Sequence, residues 1–459
     1  MSNYTKQQYI FALSFLSNSN FGDDAQPGGP SSDGDGTLWG IANATIKDAV
    51  NEKLPGFGIN SNLTWGPYVS NSMSLYDPGL SVTDNLVYVA SVEDPENSDN
   101  LLLVVSLAGT SSTSYYAAFS EDFYVDQVNL DLPGMPENSA MVYKGGRDVI
   151  SALITWKDVN QPVGIPQGFL ANLAAQAAAG RKDYQTVEIV VTGHSLGGGL
   201  APILAAYLGS YSNLLLIGGV SVSCYTYAGP TAGDADFIQF LADQNIDLNA
   251  VVNEFDIVPK AWTVDGISSI YSLYGDPNNA PDGLNTCTNE STISDNGIVA
   301  GIAQWAQSLP NGTYANPDLD SIETFPGAGM DFTKVNGLCT ELDEFSLAIY
   351  TSTTGILNSI RKSLEVIYKS VKPKDIFTEI TIKQFLTFLD EGSYQHVRGY
   401  IYYLTESNSD LQNYLLGYMQ KGTPTEQERG DSLIILNELL SLAATFLQNP
   451  EPLHLASAK

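Results

Sequence analysis

Apolar residues along this chain gather in short unbroken runs, separated by helix-length stretches in which apolar positions are spaced. The run over 187–191 is apolar and β-branched, which reads as a strand buried on both faces. It passes through Gly193-His194-Ser195-Leu196-Gly197 into a stretch rich in Ala and Leu that predicts a helix as far as Leu208. Upstream, the runs 86–91 and 101–107 flank the polar turn EDPENSDN and predict an antiparallel hairpin. Helices are expected over about 145–156 and 167–179. Downstream, a strand at 220–227, a helix at 237–244 and a strand at 250–253 continue the alternation. Strands alternating with helices predict an α/β chain: a mostly parallel central sheet with helices on both faces.

Elsewhere the pattern weakens. Residues 1–80 open with a short helical stretch and continue through GDDAQPGGPSSDGDG, too polar and Gly/Pro-rich to pack. From 263 to 340, Asn, Asp, Gly and Pro punctuate the chain, and helical periodicity returns at 342–371 and 375–389. The segment Ser393 to Leu404, SYQHVRGYIYYL, reads as a loop entering a final strand. Two closing helices are expected at 409–420 and 425–448, the second begun by a Thr425/Glu428 capping box.

Charge and composition narrow the partners. A formal net charge of −31 argues against nucleic acid and against an anionic membrane surface. Only 15% of residues are charged, while Gly and Tyr are plentiful; such a surface leans toward an exported protein, with the cytoplasm as the second reading. The first twenty residues read as a short helix rather than a signal peptide, and no apolar run reaches the roughly 18 residues of a transmembrane span. Cys224, Cys287 and Cys339 lack metal-ligand spacing, so no metal is expected. Cys224 reads as an inert core thiol; Cys287 and Cys339 share a polar stretch and are either paired or free.

Chemistry concentrates at Ser195. The pattern G-x-S-x-G between a strand and a helix places a serine on a turn too sharp for a Cβ at either flank. The following helix points its first N–H groups at the same spot. A nucleophile beside fixed donors is what acyl transfer needs. It also needs a base and a carboxylate to orient that base, which in the α/β-hydrolase arrangement follow the serine with the carboxylate first and the histidine last. Three histidines are present. His194 sits inside the turn and must point elsewhere, which leaves His396 and His454; the latter lies in a Pro-flanked tail, PEPLHLASAK. Asp256, after the strand ending at Asn253, is the candidate carboxylate, and an ordinary turn aspartate is the plainer reading of it. Leu196 N–H comes with the turn as one oxyanion donor, and the second is expected near Gly109-Thr110.

Four separated segments resemble the fungal-type, or class 3, lipase family of the α/β-hydrolase fold. LLLVVSLAGTSSTSYY resembles its oxyanion strand and lid start, VEIVVTGHSLGGGLA its nucleophile turn, YTYAGP with VVNEFDIVP the next two strands, and YQHVRGYIYYL the region of its histidine. The resemblance covers roughly 85–260 and 390–405 and implies Ser195 as nucleophile, Asp256 as orienting carboxylate and His396 as base. It further implies an oxyanion hole from the Thr110 and Leu196 N–H groups, and no cofactor. Where the family usually carries Arg before the oxyanion Gly-Thr, this chain has Ala108, and the stretch between Asp256 and His396 is longer than in the family. The organisation so implied is an N-terminal extension (1–80), a hydrolase domain (81–405) with an insertion at about 263–390, and a helical C-terminal extension (406–459).

The expected activity is hydrolysis of lipid carboxylic esters at a lipid–water interface, through an acyl-enzyme. Tyr115, Tyr116, Phe119 and Phe123 are lid candidates under this reading, and core residues under the plainer one. An esterase for soluble short-chain or aromatic esters, a phospholipase, and a catalytically silent binding module on the same fold stay open beside it.

Overall fold

The computed structural model describes residues 4–18, 38–73, 81–109, 125–132, 139–155, 168–270 (apart from 212, 213 and 215), 312–316, 322–325, 394–405 and 409–420, with isolated positions between 273 and 392. Two compact units divide the chain. One comprises Met1–Gly266, Leu309–Ala328 and Gln395–Thr423; the other comprises Ile267–Ser308, Gly329–Tyr394 and Pro424–Lys459. Only scattered residues of the second are described. The first holds the sheet.

Strand β2 (Ser81–Glu93) lies between β1 (Ser61–Met73) and β3 (Asn100–Leu107) and is antiparallel to both. The short β4 (Gln127–Asn129) and β5 (Met141–Tyr143) pair separately. Strands β6 (Thr186–His194), β7 (Val220–Tyr227), β8 (Asp247–Asn253) and β9 (Ile322–Phe325) then extend the sheet in parallel from β3, giving the order β1-β2-β3-β6-β7-β8-β9. A mostly parallel sheet with the Gly193–Gly197 turn leaving its middle strand is the α/β-hydrolase arrangement. The hairpin expected from 86–91 and 101–107 is β2–β3, with Val87 opposite Leu107.

Both faces of this sheet are buried, which explains the unbroken apolar runs. Leu102, Val104 and Val190 pack into one layer, while Leu103, Val105, Ile189 and Val191 pack into the other. The second layer takes its cover from the helices Lys144–Thr155, Phe169–Gly180, Leu196–Gly209 and Ala235–Asp243, through residues such as Ile150, Leu173, Leu200 and Phe237. The first layer is covered by α1 (Lys6–Leu16) and by the helices Gly399–Leu404 and Ser409–Gln420. A Thr5/Gln8 capping box starts α1, and every residue from Tyr9 to Leu16 is buried. Its last turn is tied to the sheet: Tyr88 Oη and Ser106 Oγ both donate to Leu13 O, the latter at 3.2 Å. The first eighty residues therefore contribute both a core helix and the edge strand β1 to this unit.

Two local expectations are corrected. The polar stretch 263–340 contains a strand, β9, which adds to β8 with Val251 opposite Glu323. Its four residues are short and carry no alternation long enough to register alone. The segment around His396 does not enter a strand. It is a π-helical turn, Tyr394–Arg398, continuing into the helix Gly399–Leu404. Aromatic and β-branched residues favour strands locally, but Tyr400, Ile401 and Leu404 fall on one helical face and are buried there. The expected helix at 425–448 and the cysteines Cys287 and Cys339 lie outside the described residues.

Candidate active site

Strand β6 ends at His194, and Ser195 turns the chain with φ 59° and ψ −131°, a left-handed conformation that a serine adopts only under constraint. The constraint is packing between backbones. A Cβ on Gly193 would sit 2.2 Å from the backbone of Gly197, and one on Gly197 would sit 2.3 Å from Leu107 O. Glycine at both places lets β6, β3 and the new helix meet. Ser195 N–H donates to Tyr227 O at 2.9 Å, and Gly198 N–H returns to Ser195 O at 2.8 Å. Leu196 begins the helix, and its N–H belongs to the first turn, which has no acceptor within the helix. Ser195 itself is half-buried.

Asp256 follows β8 in a turn where its N–H donates to Asn253 O at 3.0 Å. Its carboxylate is fully buried and accepts three donors: Val258 N–H at 3.0 Å, Tyr400 Oη–H at 3.0 Å and His396 Nδ1–H at 2.9 Å. A buried carboxylate needs such donors, since an isolated one is costly to desolvate. The bond to His396 fixes its tautomer with the proton on Nδ1 and leaves Nε2 as an acceptor. Nearby Lys260 has its pKa lowered by burial, against the opposing pull of Asp256 and Glu254.

Three further side chains hold the histidine segment. Asn253 Nδ2 donates to Gln395 O at 2.9 Å and to Gln395 Oε1 at 2.7 Å, all buried. Tyr400 Oη accepts Asn253 N–H at 2.9 Å while donating to Asp256. His194, the residue that must leave the turn, points its Nε2–H at His396 O, 2.8 Å away, and its ring lies 4.8 Å from that of His396. Burial, and secondarily the His396 ring, lower its pKa from 6.5 to about 3, so it is neutral near pH 7, and its Nε2–H is committed to the His396 carbonyl. Asn253, Gln395 and Tyr400 were not singled out by the sequence; read as a helix, YQHVRGY would have shown Tyr400 one turn beyond His396.

The sequence candidates Ser195, Leu196, Asp256 and His396 thus all lie in one unit, and His396 and Asp256 are in contact. Among the described residues no hydrogen bond joins Ser195 to the His396 ring. Thr110, the aromatics Tyr115, Tyr116, Phe119 and Phe123, and His454 lie outside the described residues. Ala108, at the position of the family arginine, is buried.

Residues 127–265 match the family model for lipase (class 3). That stretch is similar to class 3 lipases. A lipase of Rhizomucor miehei is 32% identical over 115 residues, which are 25% of this chain and 31% of that protein. A secreted mono- and diacylglycerol lipase of Fusarium solani is 35% identical over 104 residues, 21% of this chain and 29% of that protein. A chloroplastic phospholipase A1-Igamma2 of Arabidopsis thaliana is 37% identical over 87 residues, 18% of this chain and 16% of that protein. The chain thus spans less than a third of the length of these relatives. The matched stretch contains Ser195 and Asp256; His396, Gly109 and α1 lie outside it.

Proposed function

We propose that this chain hydrolyses carboxylic esters of lipids by acyl transfer through Ser195. The observation that carries the reading is the His396 Nδ1–Asp256 contact at 2.9 Å in the same unit as the strained Ser195 turn. His396 Nε2 takes the Ser195 proton as Oγ attacks the ester carbonyl, and Asp256 stabilises the imidazolium that forms. The tetrahedral oxyanion is held by the Leu196 and Thr110 N–H groups, with the Thr110 hydroxyl assisting. Donors of this kind are each worth roughly 10²–10³ in rate. His396 then protonates the leaving alcohol, and water deacylates the enzyme by the same route. The serine–histidine hydrogen bond forms in the substrate complex, where catalytic hydrogen bonds commonly shorten into line.

Lipid rather than soluble ester is favoured by the relatives, two of which are named for acylglycerol or phospholipid hydrolysis. The same proposal takes Tyr115, Tyr116, Phe119 and Phe123 as the candidates for a lid that responds to a lipid–water interface. The proposal is tested by a fluorophosphonate label on wild type and Ser195→Ala, followed by p-nitrophenyl esters of rising chain length, a triglyceride emulsion and a phospholipid. A chain that neither labels nor turns over any ester is a silent binding module instead. Turnover of phospholipid above triglyceride assigns a phospholipase.

A further inference from the structure

The loop that leaves β3 is gripped by the end of α1. Ser17 Oγ donates to Leu107 O at 3.0 Å, and Gly109 N–H donates to Asn18 Oδ1 at 2.6 Å. Two successive residues after α1 therefore hold both ends of Leu107-Ala108-Gly109. The second bond also settles the amide: an N–H requires an oxygen, so Oδ1 faces Gly109 and Nδ2 faces away. Asn18 Nδ2 is buried and has no hydrogen-bond partner among the described residues. An asparagine kept for packing alone would be outcompeted by an apolar residue, because a buried donor without an acceptor loses its hydration for no return.

Its position beside the nucleophile turn is close. A Cβ on Gly109 would lie 3.0 Å from Asn18 Oδ1, 3.0 Å from Ser195 Cβ and 2.8 Å from His194 O. One glycine separates the Asn18 amide from Ser195.

We propose that Asn18 is a positioning residue for acyl transfer, its amide oxygen fixing Gly109 and hence the start of the oxyanion loop against the Ser195 turn. This rests on the reading of Ser195 as nucleophile. The proposed second donor is the N–H of the next residue in sequence, so releasing Gly109 N–H removes the anchor of the backbone that leads to it. A misdirected donor is missed in the transition state and hardly at all in the ground state, so kcat falls while KM stays.

Asn18→Ala assayed on p-nitrophenyl butyrate is expected to lower kcat about 10²-fold, with KM within about threefold. If that variant does not accumulate as folded protein, Asn18→Ser, whose shorter hydroxyl falls short of Gly109, replaces it. In ¹⁵N-glycine-labelled enzyme, the Gly109 amide is expected to exchange at least about tenfold faster in the variant. Wild-type kcat in a folded variant, a KM rise that accounts for the whole loss, or unchanged Gly109 exchange each overturns the proposal. Wild-type enzyme that neither labels with fluorophosphonate nor cleaves any ester sinks the nucleophile reading, and this one with it. A labelled, active wild type beside an equally active Asn18→Ala sinks this one alone.

Discussion

His194 Nε2 donates to the carbonyl oxygen of His396 across 2.8 Å, so the residue before Ser195 holds the segment that carries the proposed base. Donation to a carbonyl requires the proton on Nε2, and because burial keeps the ring neutral, Nδ1 is left unprotonated. His194 therefore couples the two halves of the site through one buried ring.

That coupling has a pH signature. The folded pKa of His194 is depressed from 6.5 to about 3, chiefly by burial. Above pH 6.5 folded and unfolded chains are both neutral there, and the full stability is present. As pH falls through this window the unfolded chain takes up a proton that the folded chain refuses, and stability drops by about 1.4 kcal/mol per pH unit. Urea denaturation at pH 7.5 and pH 5 is expected to show roughly 2 kcal/mol more loss in wild type than in His194→Gln. Equal losses in the two proteins refute it.

Ser195→Ala is expected to abolish ester turnover and fluorophosphonate labelling with little change in melting temperature, because a half-buried hydroxyl on a turn contributes little to the core. The check is a labelling gel beside a thermal melt. Retained turnover moves the nucleophile elsewhere.

His396→Ala should cost several orders of magnitude in kcat, as loss of a triad member does. Removing the residues after Gln448, and His454 with them, should leave kcat within a few-fold of wild type. The opposite pair of results transfers the base to His454.

Tyr400→Phe deletes a donor to Asp256 Oδ2 and the acceptor of Asn253 N–H. A buried N–H left without its partner costs about 1–3 kcal/mol, which chemical denaturation reads directly. The kcat of this variant is expected to fall with KM nearly constant, since Asp256 and His396 lose a shared support.

Replacing Phe119 and Phe123 together by Ser should depress activity on emulsified triglyceride far more than on a soluble short-chain ester. Equal losses on the two substrates mean that these rings belong to the core and that the enzyme is a general esterase.

Much of this was legible in the residues themselves. The β6 run and the glycines around Ser195 announced a buried strand and a sharp turn, because the two-sided burial of Ile189, Val190 and Val191 demands apolar residues without a break. The helices Lys144–Thr155 and Ser409–Gln420 fell within a residue of their expected positions. What escaped depends on partners distant in sequence. IETF becomes β9 only because β8 offers an edge, and GYIYYL becomes a helix because Tyr400 must reach Asp256 and Asn253. Asn18 was invisible for the same reason: its partner, Gly109, lies 91 positions away, and no local pattern encodes that meeting.

The all-round burial of α1 also constrains how the protein is made. Tyr227 Oη donates to Gln7 O across 220 positions, and Tyr418 Oη to Leu16 O across 402. At translation rates of about 5–20 residues per second, α1 leaves the ribosome tens of seconds before the helix bearing Leu411, Leu415 and Tyr418 exists. Through that interval FALSFL has water or a chaperone on the side that this helix will cover, and sheet closure waits for the last pairing. Nascent chains that stop short of residue 409 leave that side of α1 bare, which makes them natural substrates for quality control.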